Sequence, residues 1–407
     1  MRLLHTSDWH LGHRFHGRMR LEEQGAFLHW LLEQIQAHTV EVLLVAGDIF
    51  DTTTPGSRAQ ALYYRFLHQL AGSSCRHVVI IGGNHDSPSL LEAPREILRQ
   101  LNIHVLGMVD DQLDKEIVLL PGQATEAPEL LVCAVPFLRD RDIRQAGAAE
   151  TLEEKGRQLR QGIQDHFQQV CQQAEQIRQE YNPQMPLVVM GHLFVAGGQT
   201  QEGDGVRELS IGGLDRIDGS SFPAGIDYLA LGHLHLPQKV AGNPTRRYSG
   251  APFAMSFSEV GQKKEVLLID CAGREITPTP LEVPCFQPLA SIRGDLSPLL
   301  EKIEALKAEE RPYWLELQYE GATVIANLRE QLLEAVADSQ VSILRIRNRR
   351  IFDHALQQSK ESETLDELSV EEVFARCLEA HQIEPSQRQG LLQAFAEIKR
   401  AVAEEDM

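Results

Sequence analysis

Residues 77–86 read His77-Val78-Val79-Ile80-Ile81-Gly82-Gly83-Asn84-His85-Asp86, an apolar run that ends in two glycines and three polar residues. The run is typical of a strand in a sheet covered on both faces, and the glycines allow a sharp turn after it. Ligands of α/β proteins bind beyond the carboxyl ends of such strands, because helices cover the faces of the sheet. An ordinary turn rich in Asn and Asp would contain the same residues, so one occurrence leaves both interpretations open.

The same pattern recurs at four other places in the chain. Apolar strands lead into Asp8-Trp9-His10, Gly47-Asp48-Ile49-Phe50-Asp51, Gly191-His192 and Gly232-His233-Leu234-His235. Residues two positions apart in an extended chain project to one side, so Asp8 pairs with His10, and His233 with His235. Repetition at five strand ends favours a binding site over an ordinary turn.

These strand ends supply seven candidate metal ligands: Asp8, His10, Asp48, Asn84, His192, His233 and His235. Oxygen and nitrogen donors without a thiolate favour Mn²⁺, Fe²⁺ or Zn²⁺ over a sulfur-ligated centre. Seven donors are too many for one ion, whereas two ions that share a carboxylate would use all of them. Two metals about 3.5–4 Å apart are a common arrangement for in-line attack at phosphorus.

These motifs, in this order, resemble those of the calcineurin-like metallophosphoesterases. Within that superfamily, three segments resemble the SbcD family, the nuclease subunits of bacterial SbcCD complexes: His5-Thr6-Ser7-Asp8-Trp9-His10-Leu11-Gly12, Ala46-Gly47-Asp48-Ile49-Phe50-Asp51 and Leu365-Asp366-Glu367-Leu368-Ser369-Val370-Glu371-Glu372-Val373-Phe374. The likeness extends over nearly the whole chain. It implies an α/β fold of two stacked β-sheets flanked by helices, with a small α/β capping domain and a C-terminal helical tail.

The resemblance also implies roles for the candidate residues. Asp8, His10 and His235 would hold one ion, Asn84, His192 and His233 the other, and Asp48 would bridge them. His85 would act on the phosphate, as a stabiliser of charge or a proton donor to the leaving oxygen. Asp86 and Asp51 would orient neighbouring imidazoles. A water polarised by the ions would attack the phosphorus in line, and we expect two divalent ions, Mn²⁺ with Mg²⁺ or Fe²⁺ as alternatives.

The activity that the resemblance implies is a metal-dependent DNA nuclease, cleaving duplexes from 3′ ends and nicking hairpins and single strands. Two other functions stay open at this stage. A small-molecule phosphoesterase could use the same ligands, because metals act on any phosphate alike, although the second domain and the tail argue against it. A noncatalytic DNA-end scaffold would tolerate the loss of ligands, and no expected ligand is missing.

The formal net charge of −19 is unusual for a nucleic-acid enzyme, because phosphate binding normally comes from Lys and Arg. Residues 361–407 contain 12 acidic and 4 basic residues, so much of the excess lies in the tail. A basic loop that could meet DNA follows the first metal motif and contains His13, Arg14, His16, Arg18 and Arg20. A solvated loop without such a role is the alternative.

Composition indicates a cytoplasmic globular protein. The chain has 407 residues, 43% hydrophobic and 24% charged, and is long enough for two or three domains. Apolar runs are strand-length and no cationic start precedes one, so neither secretion nor a membrane span is expected. Six cysteines without a Cys-x-x-Cys pair are typical of free thiols in a reducing cytosol.

The predicted organisation is a nuclease domain over 1–275, a capping domain over 285–350 and a helical partner-binding tail over 364–407. Helical spacing predicts helices over about 20–38, after an N-cap at Ser57, after Ser87-Pro88 and over 150–181. The last is rich in Gln, and its polar face suggests an exposed surface. Residues 197–213 are expected to border the substrate or to form a plain surface loop. Prolines mark a crossing to the second domain: Pro278, Pro280, Pro284 and Pro288.

Beyond the crossing, alternating strands and helices indicate a small βαβαβ unit, with one helix capped by Ser297-Pro298. Its basic end would touch phosphate or form surface ion pairs, and contains Arg345, Arg347, Arg349 and Arg350. In the tail, Ser369 and Glu372 form a capping box, and a second helix follows. Two short amphipathic helices dock on their own protein or on another chain, and we favour another chain. The resemblance implies that it is the coiled coil of an SMC-like ATPase of the SbcC type, and that the chain forms a homodimer within a heterotetramer.

Overall fold

The computed structural model describes residues 1–110, 112–122, 127–143, 152–196, 217–219, 222–321, 325, 327–348 and 395. The chain forms two compact units, Met1–Phe286 and Gln287–Met407. The strands of the first unit are β1 Arg2–Thr6, β2 Arg14–Phe15, β3 Arg18–Met19, β4 Val42–Ala46, β5 His77–Ile81, β6 Ile103–Leu106, β7 Ile117–Pro121, β8 Pro128–Ala134, β9 Leu187–His192, β10 Val195–Ala196, β11 Ile217–Asp218, β12 Tyr228–Gly232, β13 Gln238–Lys239, β14 Arg246–Tyr248, β15 Glu265–Ala272 and β16 Glu275–Glu282. Its helices are α1 Leu21–Ala37, α2 Ser57–Leu70, α3 Pro88–Glu92, α4 Arg95–Arg99, α5 Asp140–Ile143 and α6 Leu152–Tyr181.

Two six-stranded sheets dominate the first unit. The first has the order β16-β15-β1-β4-β5-β6, and its strands β1, β4, β5 and β6 run parallel. The second has the order β13-β14-β12-β9-β8-β7, with β14, β12, β9 and β8 parallel. Parallel strands bring their carboxyl ends to one edge of a sheet, so the loops after β1, β4 and β5 lie together, as do those after β9 and β12.

Both sheets are buried on both faces. Along β4, Leu44 and Ala46 pack into the layer between the sheets, whereas Leu43 and Val45 pack against α1 and α2. On the second sheet, Val188 faces the same layer. The opposite face of that sheet is covered by α6. This arrangement explains the continuous apolar runs and confirms the predicted fold of two stacked sheets flanked by helices.

Some helix details differ from the sequence prediction. Helix α2 begins at Ser57 itself, and Gly56 takes the N-cap position, so Ser57 does not cap it. The segment after Ser87-Pro88 forms two short helices, α3 and α4, where a single helix was predicted, and Ile97 on α4 is 72% exposed. The Gln-rich helix α6 is exposed on one side only, because Val170 and Ala174 are fully buried on the second sheet.

The prolines that we interpreted as a domain crossing lie partly in a strand. Pro278 and Pro280 belong to β16, which pairs with β15 along its whole length. A proline lacks the N–H that an inner strand needs, and β16 tolerates two of them because it forms the edge of its sheet. The strand belongs to the first compact unit, which extends to Phe286.

The second unit contains a βαβαβ arrangement with three parallel strands. Its elements are β17 Leu289–Gly294, α7 Leu296–Ala308, β18 Trp314–Tyr319, α8 Leu328–Ala335 and β19 Ser342–Asn348. Leu299, Leu317 and Leu332 form its core. Helix α7 begins at Leu296 with Asp295 as N-cap, slightly before the predicted cap at Ser297.

Arg345 and Arg347 lie 3.5 and 3.2 Å from the buried carboxylate of Glu316, so of the two roles considered for them the ion pair is the one observed. Arg349, Arg350, the loop 197–213 and the tail 364–407, apart from Phe395, lie outside the described residues. Cysteines within the described part of the chain are free. Of the helices described there, none is long and apolar enough to cross a membrane.

Candidate metal centre

Five strand ends, from both sheets of the first unit, converge at one place. The N–H groups of Asp8 and His10 donate to the carbonyls of Gly47 and Asp48, each at 3.0 Å, which ties the loop after β1 to the loop after β4. The N–H of His233 donates to Oδ1 of Asp8 at 2.9 Å, which ties the loop after β12 to the first sheet. Hydrogen bonds therefore hold side chains from distant segments around a common point.

Two glycines permit this close approach. A Cβ on Gly83 would overlap the carboxylate of Asp48, and one on Gly232 would overlap the carbonyl oxygen of Ala46. Because Ala46 ends β4 in one sheet and Gly232 ends β12 in the other, the missing side chain lets the two sheets meet at their carboxyl edges.

Four of the predicted ligands have positive φ angles: 54° at Asp8, 42° at His10, 51° at Asp48 and 100° at His233. Residues with a Cβ adopt this region at a cost in free energy, and they concentrate at functional sites where surrounding contacts enforce it. Four of the seven predicted ligands therefore share an uncommon backbone conformation, which sets the direction of their side chains.

The predicted ligands form two groups. In the first, one donor atom each from Asp8, His10 and His235 lies within 4.8 Å of the others, and Nε2 of His10 is 3.2 Å from Nε2 of His235. In the second, Oδ1 of Asn84 lies 3.0 Å from Nε2 of His192 and 3.0 Å from Nδ1 of His233.

Asp48 lies between the two groups. Its Oδ2 is 3.6 Å from Nε2 of His10 in the first group and 3.2 Å from Nε2 of His192 in the second. The structure thus brings all seven predicted ligands together, and the residue that the resemblance gives as the bridge occupies the middle.

The chemistry of the donor set fits divalent cations. Nδ1 of His192 donates to the carbonyl of Ala46 at 2.9 Å, so in the neutral imidazole the lone pair of Nε2 faces the side-chain oxygens of Asn84 and Asp48. Electron-rich atoms that face one another repel unless a cation lies between them. Donors that bind one ion at about 2.0–2.2 Å lie roughly 3 Å from each other, and the observed separations agree.

The ionisable side chains of the two groups shift one another's pKa values. Burial lowers the pKa of His192, but the carboxylate of Asp48 outweighs burial and raises that pKa to about 9. Burial raises the pKa of Asp8 to about 6 and lowers that of His233 to about 3. Only a neutral imidazole binds a metal, so a divalent ion would compete with a proton for His192.

His85 lies beside the two groups without belonging to either. Its N–H donates to Oδ1 of Asp48 at 3.0 Å, and its ring centroid is 4.9 Å from that of His10. Its Nδ1 donates to the backbone carbonyl of Asp51 at 2.8 Å. Because a carbonyl can only accept, Nδ1 carries the proton, and Nε2 is the nitrogen left to act on a substrate.

Asp51 contacts two imidazoles through its carboxylate, with Oδ1 2.9 Å from Nδ1 of His13 and 3.4 Å from Nδ1 of His10. Asp86 contacts none of the imidazoles, contrary to the predicted role. It is fully buried and accepts hydrogen bonds from the N–H groups of Ile49, Phe50 and Gly83 at 2.8–3.1 Å. The carboxylate of Asp86 therefore holds the backbone of the two loops that carry Asp48 and Asn84.

The basic loop forms a short hairpin of β2 and β3, on which Arg14, His16 and Arg18 are exposed. Arg20 does not belong to that surface. Its buried guanidinium donates to Glu23 at 2.6 Å and to the carbonyl of Ala254 at 2.5 Å, between aromatic rings. The carboxylate three residues further along the helix was the sequence signal for this ion pair.

Phe137 and Arg139 adjoin the metal centre and were not among the predicted site residues. The Phe137 ring lies 6.2 Å from that of His192 and 6.5 Å from that of His233. The Nη2 of Arg139 donates to the carbonyl of Asp86 at 3.1 Å. Both residues follow β8, a further strand whose carboxyl end reaches this edge. No signal in the sequence marked them, because β8 is followed by Val135-Pro136 and not by the Asp, Asn or His that follows the other five strands.

Family models match both parts of the chain. Residues 1–237 match the model described as calcineurin-like phosphoesterase. Residues 285–382 match the one described as type 5 capsule protein repressor C-terminal domain.

Several relatives are named as a subunit of the nuclease SbcCD. The Escherichia coli (strain K12) protein is 36% identical over 408 residues, which cover 100% of this chain and 99% of the relative. The Rhodobacter capsulatus protein is 37% identical and covers 77% of each chain. The Bacillus subtilis protein is 29% identical over the full length of both. Among solved structures, a family 1 β-glucosidase from Thermotoga maritima is 10% identical over 81% of this chain and 77% of its own, with a TM-score of 0.18, too low to indicate a shared fold.

These matches, together with the two stacked sheets and the ligands at their facing ends, identify the class: the chain belongs to the calcineurin-like phosphoesterase family. Identity above 30% over the full length further places it in the SbcD family of that class, as its motifs predicted.

Proposed function

We propose that this chain is a metal-dependent DNA nuclease that cleaves duplexes as a 3′→5′ exonuclease and nicks single strands and hairpins. It works with an SMC-like ATPase of the SbcC type in the processing of DNA ends. The observation that carries the proposal is the convergence of seven oxygen and nitrogen ligands from both sheets, with Asp48 in the middle, in a chain whose relatives are named as subunits of a nuclease.

Within this proposal, Asp8, His10 and His235 would hold one cation, Asn84, His192 and His233 the other, and Asp48 would contact both. Two divalent ions, Mn²⁺ in our proposal, would neutralise phosphate charge and lower the pKa of the attacking water.

His85 has the geometry of a residue that acts on the phosphate. The backbone carbonyl of Asp51 accepts a hydrogen bond from Nδ1 of His85, so Nε2 is the ring nitrogen of His85 that remains for the substrate. A protonated Nε2 would donate to a phosphate oxygen or protonate the leaving oxygen, a contribution of about 10²–10⁴-fold in rate for a positioned general acid.

The exposed hairpin offers positive charge close in sequence to the first metal motif. Arg14 and Arg18 are exposed, and the intervening Phe15 is buried against Phe257 at a ring distance of 4.9 Å. A hairpin anchored through its aromatic residue presents its two arginines in a fixed orientation, which suits contacts to a DNA backbone.

Membership of the SbcD family suggests roles for the tail and the second unit and an oligomeric state. The tail over 364–407, for which the sequence predicts helices, would bind the coiled coil of the ATPase. The second unit would act as the capping domain, and the chain would act as a homodimer in the cytosol.

The proposed activity is tested with purified chain, Mn²⁺ and 3′- or 5′-end-labelled duplex, single-stranded and hairpin DNA, with and without the ATPase partner. We expect DNA cleavage only when the metal is present. EDTA should abolish it, and His85→Ala should lose it. A matched control is His29→Ala, which removes an exposed histidine from α1.

The rival functions give different results in the same assay. Hydrolysis of a nucleotide monoester without any cleavage of DNA would favour a small-molecule phosphoesterase. DNA binding without hydrolysis of either substrate would favour a scaffold.

A further inference from the structure

A cavity of about 220 Å³ adjoins the metal centre. The imidazoles of His192 and His233 form part of its wall, next to Phe137, Leu193 and Phe194. The cavity therefore begins at the second group of ligands and extends away from it into an apolar region.

The far wall comes from helix α6. Leu159, Ile163 and Phe167 line it at a spacing of four residues, so they present one face of the helix to the cavity. An apolar protein cavity of about 150 Å³ accommodates benzene, so this space is large enough for a planar aromatic ring.

Phe137 is held in place by the loop that carries Asn84. Its N–H donates to the carbonyl of Gly82 at 2.8 Å, and its ring is tilted by 30° relative to that of His233. Arg139 is held by the same loop through the carbonyl of Asp86, with its guanidinium 5.9 Å from the Phe137 ring. Nη1 of Arg139 is buried and has no hydrogen-bond partner among the described residues.

We propose that this cavity is a nucleobase site, which takes an unpaired base next to the scissile phosphate while Phe137 stacks on it and Arg139 meets its phosphate. The inference rests on the proposed nuclease function and deepens it. Only a base that has left its stack reaches such a cavity, so the site selects frayed ends and single strands over the interior of a duplex. Stacking on an aromatic ring tolerates any base, because every base has a π face, and cleavage would show little sequence preference.

The test uses a labelled single-stranded oligonucleotide in which one abasic residue is moved along the chain. With wild-type protein and Mn²⁺, we expect cleavage at the phosphate on one side of the abasic residue to fall about tenfold or more, the effect of losing one base–aromatic stack. Leu159→Trp fills the cavity from the helix surface. This variant should cleave the unmodified strand as slowly as wild type cleaves the abasic strand. An abasic residue should not slow the variant any further. Ile97→Trp, which adds the same bulk at an exposed residue that does not line the cavity, should behave as wild type.

A second measurement separates this inference from the nuclease proposal. In EDTA, 2-aminopurine in the single strand should lose fluorescence on binding to wild type and keep it with Phe137→Leu. Equal cleavage beside abasic and normal residues, or quenching that Phe137→Leu leaves unchanged, would overturn the nucleobase site. Quenching by wild type but not by the variant, with no DNA cleavage under any condition, would retain the base site and reject the nuclease.

Discussion

Oδ2 of Asp48 lies 3.2 Å from Nε2 of His192, although Asp48 follows a strand of one sheet and His192 ends a strand of the other. The same oxygen is 3.6 Å from His10. A single carboxylate therefore connects the two groups of ligands and also the two sheets, so the assembly of the site depends on how the sheets stack.

Asp48→Asn should lower the binding of both metal ions, because the bridging position loses its negative charge while the shape of the side chain is kept. We expect the Mn²⁺ content of the purified protein, measured by mass spectrometry after dialysis, to fall from about two per chain toward none. Asp114→Asn, which removes an exposed carboxylate elsewhere, is the control and should keep both ions. Retention of two tightly bound ions in Asp48→Asn would show that Asp48 is not shared.

His85→Ala should keep both ions and lose phosphodiester cleavage by about 10²–10⁴-fold, since in our proposal His85 acts on the phosphate and is not a ligand of either ion. Metal content and kcat are measured on the same preparation. A parallel loss of metal, or full activity, would contradict the proposed role.

The strand ends and the polar residues that follow them could be predicted because the information is local. A buried strand followed by Gly and a polar residue is visible within ten positions, as at Ile81-Gly82-Gly83-Asn84. Parallel strands then bring such ends together by topology alone. What the sequence did not reveal was which atoms would meet, such as Nε2 of His192 and Oδ2 of Asp48.

Features that depend on pairing between distant segments were missed. Arg20 seemed part of an exposed basic run, yet Phe15 and Phe253 enclose its guanidinium, at 5.2 and 4.6 Å from the ring centres. Pro278 suggested a linker, because the edge position of its strand follows from the pairing of β15 with β1, which is distant in sequence. Asp86 looked like an imidazole partner, but its carboxylate accepts from backbone N–H groups, two of them in another loop.

The basic hairpin and Arg20 can be separated by experiment. Arg18→Gln should change the free energy of unfolding by less than about 0.5 kcal/mol but weaken DNA binding and reduce the salt dependence of log K by about one. Arg20→Met should instead destabilise the fold by about 3–5 kcal/mol, because it leaves the carboxylate of Glu23 buried without its partner. Denaturant unfolding and DNA binding at several salt concentrations measure both. If the two substitutions had equal effects on DNA affinity and on stability, Arg20 would belong to the DNA-binding surface.

Asp86→Ala should weaken metal binding although Asp86 is not a ligand. Its carboxylate fixes three N–H groups in the loops that carry Asp48 and Asn84, and their release would cost metal affinity about 10–100-fold. Calorimetric titration with Mn²⁺ measures the change. Asp86→Asn keeps one acceptor oxygen and should fall between wild type and Ala. An unchanged affinity in Asp86→Ala would mean that the loops hold their shape without this carboxylate.

His104 should make the metal-free fold less stable as the pH falls. Burial lowers the pKa of His104 from 6.5 to about 4, and the positive charges of His77 and Arg99 act in the same direction. Between pH 6.5 and 4 the unfolded chain therefore binds a proton at His104 that the folded chain does not, and the free energy of unfolding falls as the pH falls through this window. His104→Gln removes this contribution, on the order of 2 kcal/mol, and should flatten the pH profile of denaturant unfolding measured in EDTA. His29→Gln, on the exposed side of α1, should keep the wild-type slope, and an identical slope in His104→Gln would show that His104 takes up its proton without unfolding.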